Sequence, residues 1–354
     1  MGSHPDKTLR IALIGCGAVG KVHLSEALAT PGCTVVALCD VNLAAAQALA
    51  RDNGIPRAVA DPETLLADPA IDGLILALPA VARRELAVRA LHAGKHLLLE
   101  KPMGPAAADI AELLAVHGDR VVACCSGRMS LMPHAAAARA AIAAGAIGTL
   151  RSIHCWATTP LGARPTTAPP AWRVSRALNG GGILMNWGVY DLDLLFSLTG
   201  WQLQPVAVAA HTWGIAPGCT DRVAPGSDGE THVAALVRFA CGARLVYERG
   251  EFTAAPARAE WQLLGDRGAL RLHLFDATAP VWLDRADPDR GVRSEVLHHD
   301  PAATAHFMTG PVADWVQAWA DGRPPRTGLR EALTLARLTD AIYRAARDGG
   351  ECVL

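Results

Sequence analysis

Short, unbroken apolar runs alternate with amphipathic stretches over the first 125 residues. Residues 10–15 (RIALIG) predict a buried strand, then a glycine turn and an amphipathic helix to about residue 29. Residues 34–39 (TVVALC) predict a second strand and 43–53 an alanine-rich helix. A strand at 73–78 is stopped by Pro79, and a helix at 83–93 ends at Gly94. A short strand at 96–99 runs into Glu100-Lys101-Pro102; a helix at 106–117 and a strand at 121–125 follow. Unbroken apolar strands between helices predict a parallel sheet covered on both faces. Right-handed crossovers make that sheet doubly wound.

The pattern then changes. A helix at 132–144 closes at Gly145, and strands of alternating character follow at 150–156, 204–213, 231–240, 243–248, 258–264 and 269–274. Tight turns at Cys241-Gly242 and Asp266-Arg267-Gly268 favour antiparallel pairing. One helix, about 181–198, sits among them, and loops 157–180 and 214–230 are rich in Pro, Gly and Thr. Helices at about 305–321 and 328–348 close the chain, split by Arg323-Pro324-Pro325. The expected class is α/β: a parallel doubly wound domain followed by an α+β domain with an open, mostly antiparallel sheet.

Composition narrows the function. The 354 residues carry a net charge of −1, with 51% hydrophobic and 19% charged residues, which excludes a disordered chain. Near-neutral charge removes the footprint expected for nucleic acid or an anionic membrane. No apolar run of ~18 residues escapes interruption. Arg10 and the run after it resemble a leader, but glycines punctuate it and Lys21 follows, so a cytoplasmic protein is expected. Nine cysteines with no CxxC read as reduced thiols. All Phe, Trp and Tyr lie beyond residue 155, which marks two domains of different character. Only four lysines (Lys7, Lys21, Lys95, Lys101) stand among 33 Lys and Arg residues.

Gly15-Cys16-Gly17-Ala18-Val19-Gly20 matches GxGxxG, follows a strand and opens a helix, the context of a dinucleotide site. Gly15 permits the turn, Gly17 close approach of a pyrophosphate, and Gly20 helix–strand packing. The helix start at Ala18 and Val19 faces the phosphates. Asp40, at the end of the second strand, suits the ribose hydroxyls, and no Arg or Lys occupies 41–50, so NAD is favoured over NADP. Cys16 reads as a small residue of the turn, with redox sensing as the alternative. Pro79, Glu100 and Lys101 stand at strand C-termini, where open α/β sheets bind ligands. Proline after Lys101 holds that residue extended. Beyond Gly180-Gly181-Gly182, Asn186, Tyr190 and Asp193 share one helical stripe, opposite an apolar side that includes Trp187. The glycine run lets a ligand or another backbone come close.

The glycine loop, GKHLLLEKP (94–102), Trp172-Arg173 and GGGILMNWGVYDLD (180–193) resemble the glucose–fructose oxidoreductase / inositol dehydrogenase / MocA family along essentially the whole chain. The resemblance implies a Rossmann domain at 1–125 and a substrate-binding and oligomerisation domain at 126–327. The helix at about 328–348 is then expected to return to the first domain. It also implies hydride transfer at a carbinol or ketone of a sugar, amino sugar or cyclitol, with Lys101 as the catalytic lysine. The family pattern often reads GGGxLxDxGxHxxD. Here Asn186 replaces the aspartate and Tyr190 the histidine, Asp193 is kept, and Arg83 stands where a histidine is frequent. The tyrosine form resembles the glucose–fructose oxidoreductase branch.

A carbinol gives up its proton as hydride leaves, and a neighbouring ammonium favours the phenolate of a tyrosine. Lys101 and Tyr190 therefore form a workable acid/base pair, with the member that meets the substrate proton left open. Asn186 can bind a hydroxyl but cannot act as a base. Asp193 either orients Tyr190 or Lys101 or supports the helix. Trp172, Trp187 and Trp213 lie in or near the site loops; Trp172 is the best candidate for stacking on a sugar, and Trp187 reads as core. Arg173 and Arg176 could hold an anionic group. His298-His299-Asp300 with His306 lacks ordered ligand spacing, so no metal is expected. The resemblance implies a homodimer or homotetramer through the C-terminal sheet. Two alternatives remain: a glycosidase that oxidises its substrate transiently, and a non-catalytic dinucleotide sensor.

Overall fold

The computed structural model describes residues 7–167, 169–304 and 306–354. They divide into two compact units: 7–128 with Met308–Leu333, and Met129–Phe307 with Thr334–Leu354.

The first unit is built on six strands: β1 (Leu9–Ile14), β2 (Cys33–Cys39), β3 (Ala58–Val59), β4 (Gly73–Leu76), β5 (His96–Leu99) and β6 (Val122–Cys124). Their order is β3-β2-β1-β4-β5-β6 and every pair is parallel. Leu9, Ile11, Leu13, Leu74, Leu97, Leu98 and Leu99 are buried, as strands with helices on both faces require. The chain leaves β1 towards β2 on one side and later places β4 on the other. The reversal between β1 and β4 opens a crevice at the strand C-termini. Helices α1 (Ala18–Ala29), α2 (Leu43–Asp52), α3 (Glu63–Leu66), α4 (Ala80–His92) and α5 (Ala107–Val116) join the strands.

The aromatic-free N-terminal stretch does not complete its own core. A helix at Pro311–Asp321 inserts Trp315 and Trp319 among Leu9, Ile11, Leu13 and Leu98. Trp315 Nε1 donates to the Val121 carbonyl at 3.3 Å. Gly73 makes room for the ring, because a Cβ there would lie 2.9 Å from it. The Glu26 carboxylate on α1 accepts the N–H groups of Gly310, Val312 and Ala313 at 2.8, 3.1 and 3.2 Å. It thereby satisfies donors that a helix start leaves open.

The second unit carries a nine-stranded sheet with α6 (Pro133–Ala143), α7 (Arg176–Asn179) and α8 (Val189–Leu198). Its strands are β7 (Leu150–Pro160), β8 (Pro205–Trp213), β9 (His232–Phe239), β10 (Arg244–Thr253), β11 (Arg258–Gly265), β12 (Gly268–Leu272), β13 (Val281–Asp287), β14 (Gly291–His298) and β15 (Cys352–Val353). The order is β14-β13-β12-β11-β7-β10-β9-β8-β15. Pairing is antiparallel except between β7 and β10, which are parallel. Residues 161–243 join those two strands, long enough for a parallel crossing. Leu192, Leu195 and Phe196 of α8 pack with Val233, Val237, Leu245 and Leu263 of the sheet.

Several expectations change. The helix at Pro311–Asp321 (α9) begins later than expected, and Ala305, the expected start, lies outside the described residues. It is α9 that completes the first unit, whereas α10 (Leu329–Asp348) belongs mostly to the second, since the division falls at Leu333. The expected return of the 328–348 helix is corrected accordingly: Leu335, Leu338, Ala341 and Ile342 sit in the second unit's core. β3, β13 and β14 were not foreseen; β3 is only two residues long, and β14 is largely exposed on both faces and lacks the alternation that marks a half-buried strand. The helix expected over 181–198 is a π-helical turn at Leu184–Gly188 followed by α8.

Because Trp315 is fully buried, Trp315→Ala should cost about 3–5 kcal/mol of unfolding free energy in a urea titration. A loss below about 0.5 kcal/mol, typical of a surface site, would show that α9 does not share the first unit's core.

Candidate active site

The glycine loop joins β1 to α1. Gly15 has φ +100°, and a Cβ there would overlap the Ala77 carbonyl beyond β4. A Cβ on Gly20 would overlap the Gly15 carbonyl, so both glycines are required by packing. Gly17 differs, since among the described residues nothing lies within 4 Å of the position its Cβ would take. Its backbone is open to a ligand, and the N–H groups at the start of α1 lack intrahelical acceptors. Asp40 Oδ2 accepts the Cys16 N–H at 2.8 Å and Oδ1 the Asn42 N–H at 2.9 Å. The carboxylate thus binds the loop to the end of β2. A cleft of about 280 Å³ opens beside it, lined by Gly15, Asp40, Val41, Pro62, Leu78 and Leu86. Arg89 also lines this cleft but pairs with Glu63 and Glu85. An open glycine, free helix-start donors and a carboxylate on the cleft rim fit a dinucleotide. Burial and Asp40 push the Cys16 thiol up to about 11, against Lys21. Redox sensing depends on a thiolate that this environment suppresses.

Two neighbouring strand ends are clamped together. Pro79 starts α4 after β4, and Arg83, fully buried one turn on, donates to the carbonyls of Leu78 and Pro102. The Lys101–Pro102 peptide is cis. Glu100 is buried at the end of β5; its Oε1 accepts from His23 Nε2 at 2.8 Å and Arg128 Nη2 at 2.5 Å. Its Oε2 accepts the Lys101 N–H at 2.9 Å. Burial alone would raise this carboxyl, but Arg128, His23 and Lys101 outweigh it and hold it well below the usual range. His23, Glu100 and Cys125 lie within 4.8 Å of one another, yet the carboxylate already carries an arginine and burial raises the thiol. This donor set is an ion-pair network rather than a cation site.

In the second unit Asn186, Tyr190 and Asp193 are all buried, and the Tyr190 ring meets Trp187 edge-on at 5.7 Å. Asp191 between them was not singled out from the sequence, yet it is fully buried and carries four side-chain hydrogen bonds. It accepts Tyr247 Oη at 3.0 Å, Trp261 Nε1 at 3.0 Å, and Arg249 Nε and Nη2 at 2.7 and 2.6 Å. Arg249 also lies 5.6 Å over the Trp187 ring. These bonds fix the rotation of the helix that carries Tyr190. The glycine run meets another backbone: a Cβ on Gly182 would overlap Glu230, whose carboxylate accepts the Gly182 and Leu184 N–H groups and Tyr343 Oη. Arg173 pairs with Glu251, and burial raises that carboxyl against Arg173 and Arg249. Trp172 is 40% exposed.

Gly15, Gly17, Ala18, Val19, Gly20, Asp40, Pro79, Glu100 and Lys101 therefore belong to the first unit, and Trp172, Arg173, Asn186, Tyr190 and Asp193 to the second. Sequence reasoning missed His23, Arg128, Asp191, Glu230 and Glu251. His23 alone had a local signal, one helical turn beyond Gly20 on the helix that the glycine loop opens.

A glycine loop at the switch point of a parallel sheet, and a second unit built on an open mixed sheet, define a two-unit dinucleotide-binding protein. Family comparison places it further. Residues 9–127 match the "oxidoreductase family, NAD-binding Rossmann fold" and 135–271 the "GFO/IDH/MocA C-terminal domain". The chain belongs to the Gfo/Idh/MocA family of oxidoreductases. It is 30% identical to 1,5-anhydro-D-fructose reductase of Ensifer adhaerens over 96% of this chain and 97% of that one. It is 31% identical to dTDP-3,4-didehydro-2,6-dideoxy-alpha-D-glucose 3-reductase of Streptomyces violaceoruber, over 96% of each chain. The structure of a levoglucosan dehydrogenase in complex with NADH and L-sorbose shares the fold, with TM-score 0.85, 21% identity, and coverage of 98% of this chain and 99% of that one.

The Glu100 network predicts a specific response to acid. Removing one partner of a buried ion pair costs about 3–5 kcal/mol, so Glu100→Gln should be destabilised by that order at pH 7. The native carboxyl titrates below its unfolded value, so its contribution is complete above about pH 4.3 and disappears as pH falls through the native pKa. Urea midpoints of wild type and variant should differ at neutral pH and converge in acid. A gap that does not change with pH would contradict the assignment.

Proposed function

We propose that this protein transfers a hydride between a nicotinamide dinucleotide, NAD in preference to NADP, and one carbinol or ketone carbon of a sugar, amino sugar or cyclitol. One observation carries the reading. The open glycine loop after β1 and the clamped Glu100-Lys101-Pro102 turn after β5 occupy C-terminal ends of one parallel sheet, on the two sides of β4. Nicotinamide supplies the hydride donor or acceptor when bound. Gly17, Ala18, Val19 and Gly20 would hold the pyrophosphate, Asp40 the ribose hydroxyls, and Pro79 would border the ring with Glu100 and Lys101.

Lys101 and Tyr190 are the acid/base pair that takes the hydroxyl proton as hydride leaves, or returns it in the reductive direction. Trp172 stacks on the sugar, Arg173 and Asn186 bind its polar groups, and Asp193 orients the helix residues. The two relatives named as reductases of sugar ketones support the substrate class. The proposed assembly is a homodimer or homotetramer in the cytoplasm, through the sheet face where Trp213 and Leu236 are 43% and 48% exposed.

The test mixes the purified protein with NAD or NADP and a panel of polyols, inositols and amino sugars, and with NADH or NADPH and 1,5-anhydro-D-fructose. Reduced-nicotinamide absorbance is followed. Lys101→Ala and Tyr190→Phe should each lower turnover about 10²–10⁴-fold, and unchanged turnover in both would overturn the assignment. Aglycone release without net change in nicotinamide would support transient oxidation instead. Quenching of tryptophan fluorescence should show tighter binding of NADH than NADPH; the reverse order would remove the role given to Asp40.

A further inference from the structure

We infer that His23 is a positioning residue for Lys101, acting through the carboxylate of Glu100. The inference rests on the assignment of Lys101 above. His23 stands on α1 and is completely buried. Its Nε2 donates to Glu100 Oε1 at 2.8 Å, whereas Nδ1 has no hydrogen-bond partner among the described residues. Burying a ring nitrogen without a partner is unfavourable. An apolar side chain would avoid that cost, so the bond to Glu100 is the polar interaction that distinguishes histidine here. The Cys125 thiol lies 3.7 Å from the same Nε2.

Glu100 receives two anchors and delivers one contact. His23 reaches it from α1, and Arg128, itself tied by Nε to the Cys125 carbonyl at 3.1 Å, reaches it from beyond β6. The other oxygen holds the Lys101 N–H, and Arg83 holds the Pro102 carbonyl on the far side of the same turn. His23 thus ties the start of the catalytic turn to the helix that the glycine loop opens. Displacement of a reacting group by about 1 Å can cost on the order of 10²-fold in rate.

Amide hydrogen exchange of the full-length protein tests this without a known substrate. In His23→Ala, exchange across residues 100–105 should rise by about tenfold. Residues 73–76 and 97–99 should be unchanged, and NADH affinity should stay within about threefold. His23→Gln, whose amide N–H can reach Oε1, should restore protection. If His23→Ala fails to fold, His23→Leu, which keeps most of the side-chain volume and removes the donor to Oε1, gives the same reading. Wild-type protection at 100–105 in folded His23→Ala or His23→Leu, or NADH affinity lost in step with protection, would overturn the positioning role.

With a substrate from the panel, His23→Ala should lose about 10–100-fold in kcat at constant KM. Full activity in His23→Ala beside an inactive Lys101→Ala would overturn this inference alone. Full activity in Lys101→Ala would overturn the earlier assignment.

Discussion

A carboxylate removed from water must be compensated by charge and hydrogen bonds, or the fold loses several kcal/mol. Glu100 meets that demand with a full set of partners: Arg128, His23 and the Lys101 N–H. The partners come from three separate parts of the chain, so satisfying one buried charge registers α1, the end of β5 and the segment after β6 against one another. Arg83 extends the clamp to β4 through the carbonyls of Leu78 and Pro102. The glycine loop is locked in the same region, since Gly15 and Gly20 have no room for a side chain and Asp40 ties the loop to β2. Rigid placement of this kind is what a hydride-transfer site requires.

The second unit uses the same device twice. Asp191 gathers Tyr247, Trp261 and Arg249 beneath α8, and Glu230 gathers the N–H groups that follow the glycine run. Each buried acid fixes backbone or helix orientation next to a residue assigned to substrate: Tyr190 beside Asp191, Asn186 beyond the turn held by Glu230. The π-helical turn at Leu184–Gly188 carries Asn186 where such turns often serve function.

How much was legible in the sequence follows from the range of each interaction. The glycine loop and five of the six parallel strands are written locally, as backbone conformation and unbroken apolar runs, and they appear within a residue or two of expectation, whereas the two-residue β3 was not expected. Networks assembled from distant segments leave no local trace. Arg128 gives no hint that it meets Glu100, and Asp191 looks like any acid near a helix start. Trp315 was visible as a large aromatic, but its place against Gly73 depends on a chain return of more than two hundred residues. The lack of aromatics before residue 155 marked a change of domain, yet the first unit takes its tryptophans from the C-terminal segment. β14 was invisible because a solvated edge strand need not alternate.

The central claim is direct hydride transfer at this nicotinamide-binding unit to or from a sugar-type carbon. The most direct test follows the label. Wild-type protein is incubated with NAD and a turned-over polyol deuterated at its carbinol carbons, and the NADH formed is analysed by mass spectrometry. The account predicts one deuterium in each NADH, with none appearing in Lys101→Ala. Recovery of unlabelled NADH, or of labelled NADH in equal yield from Lys101→Ala, would contradict it.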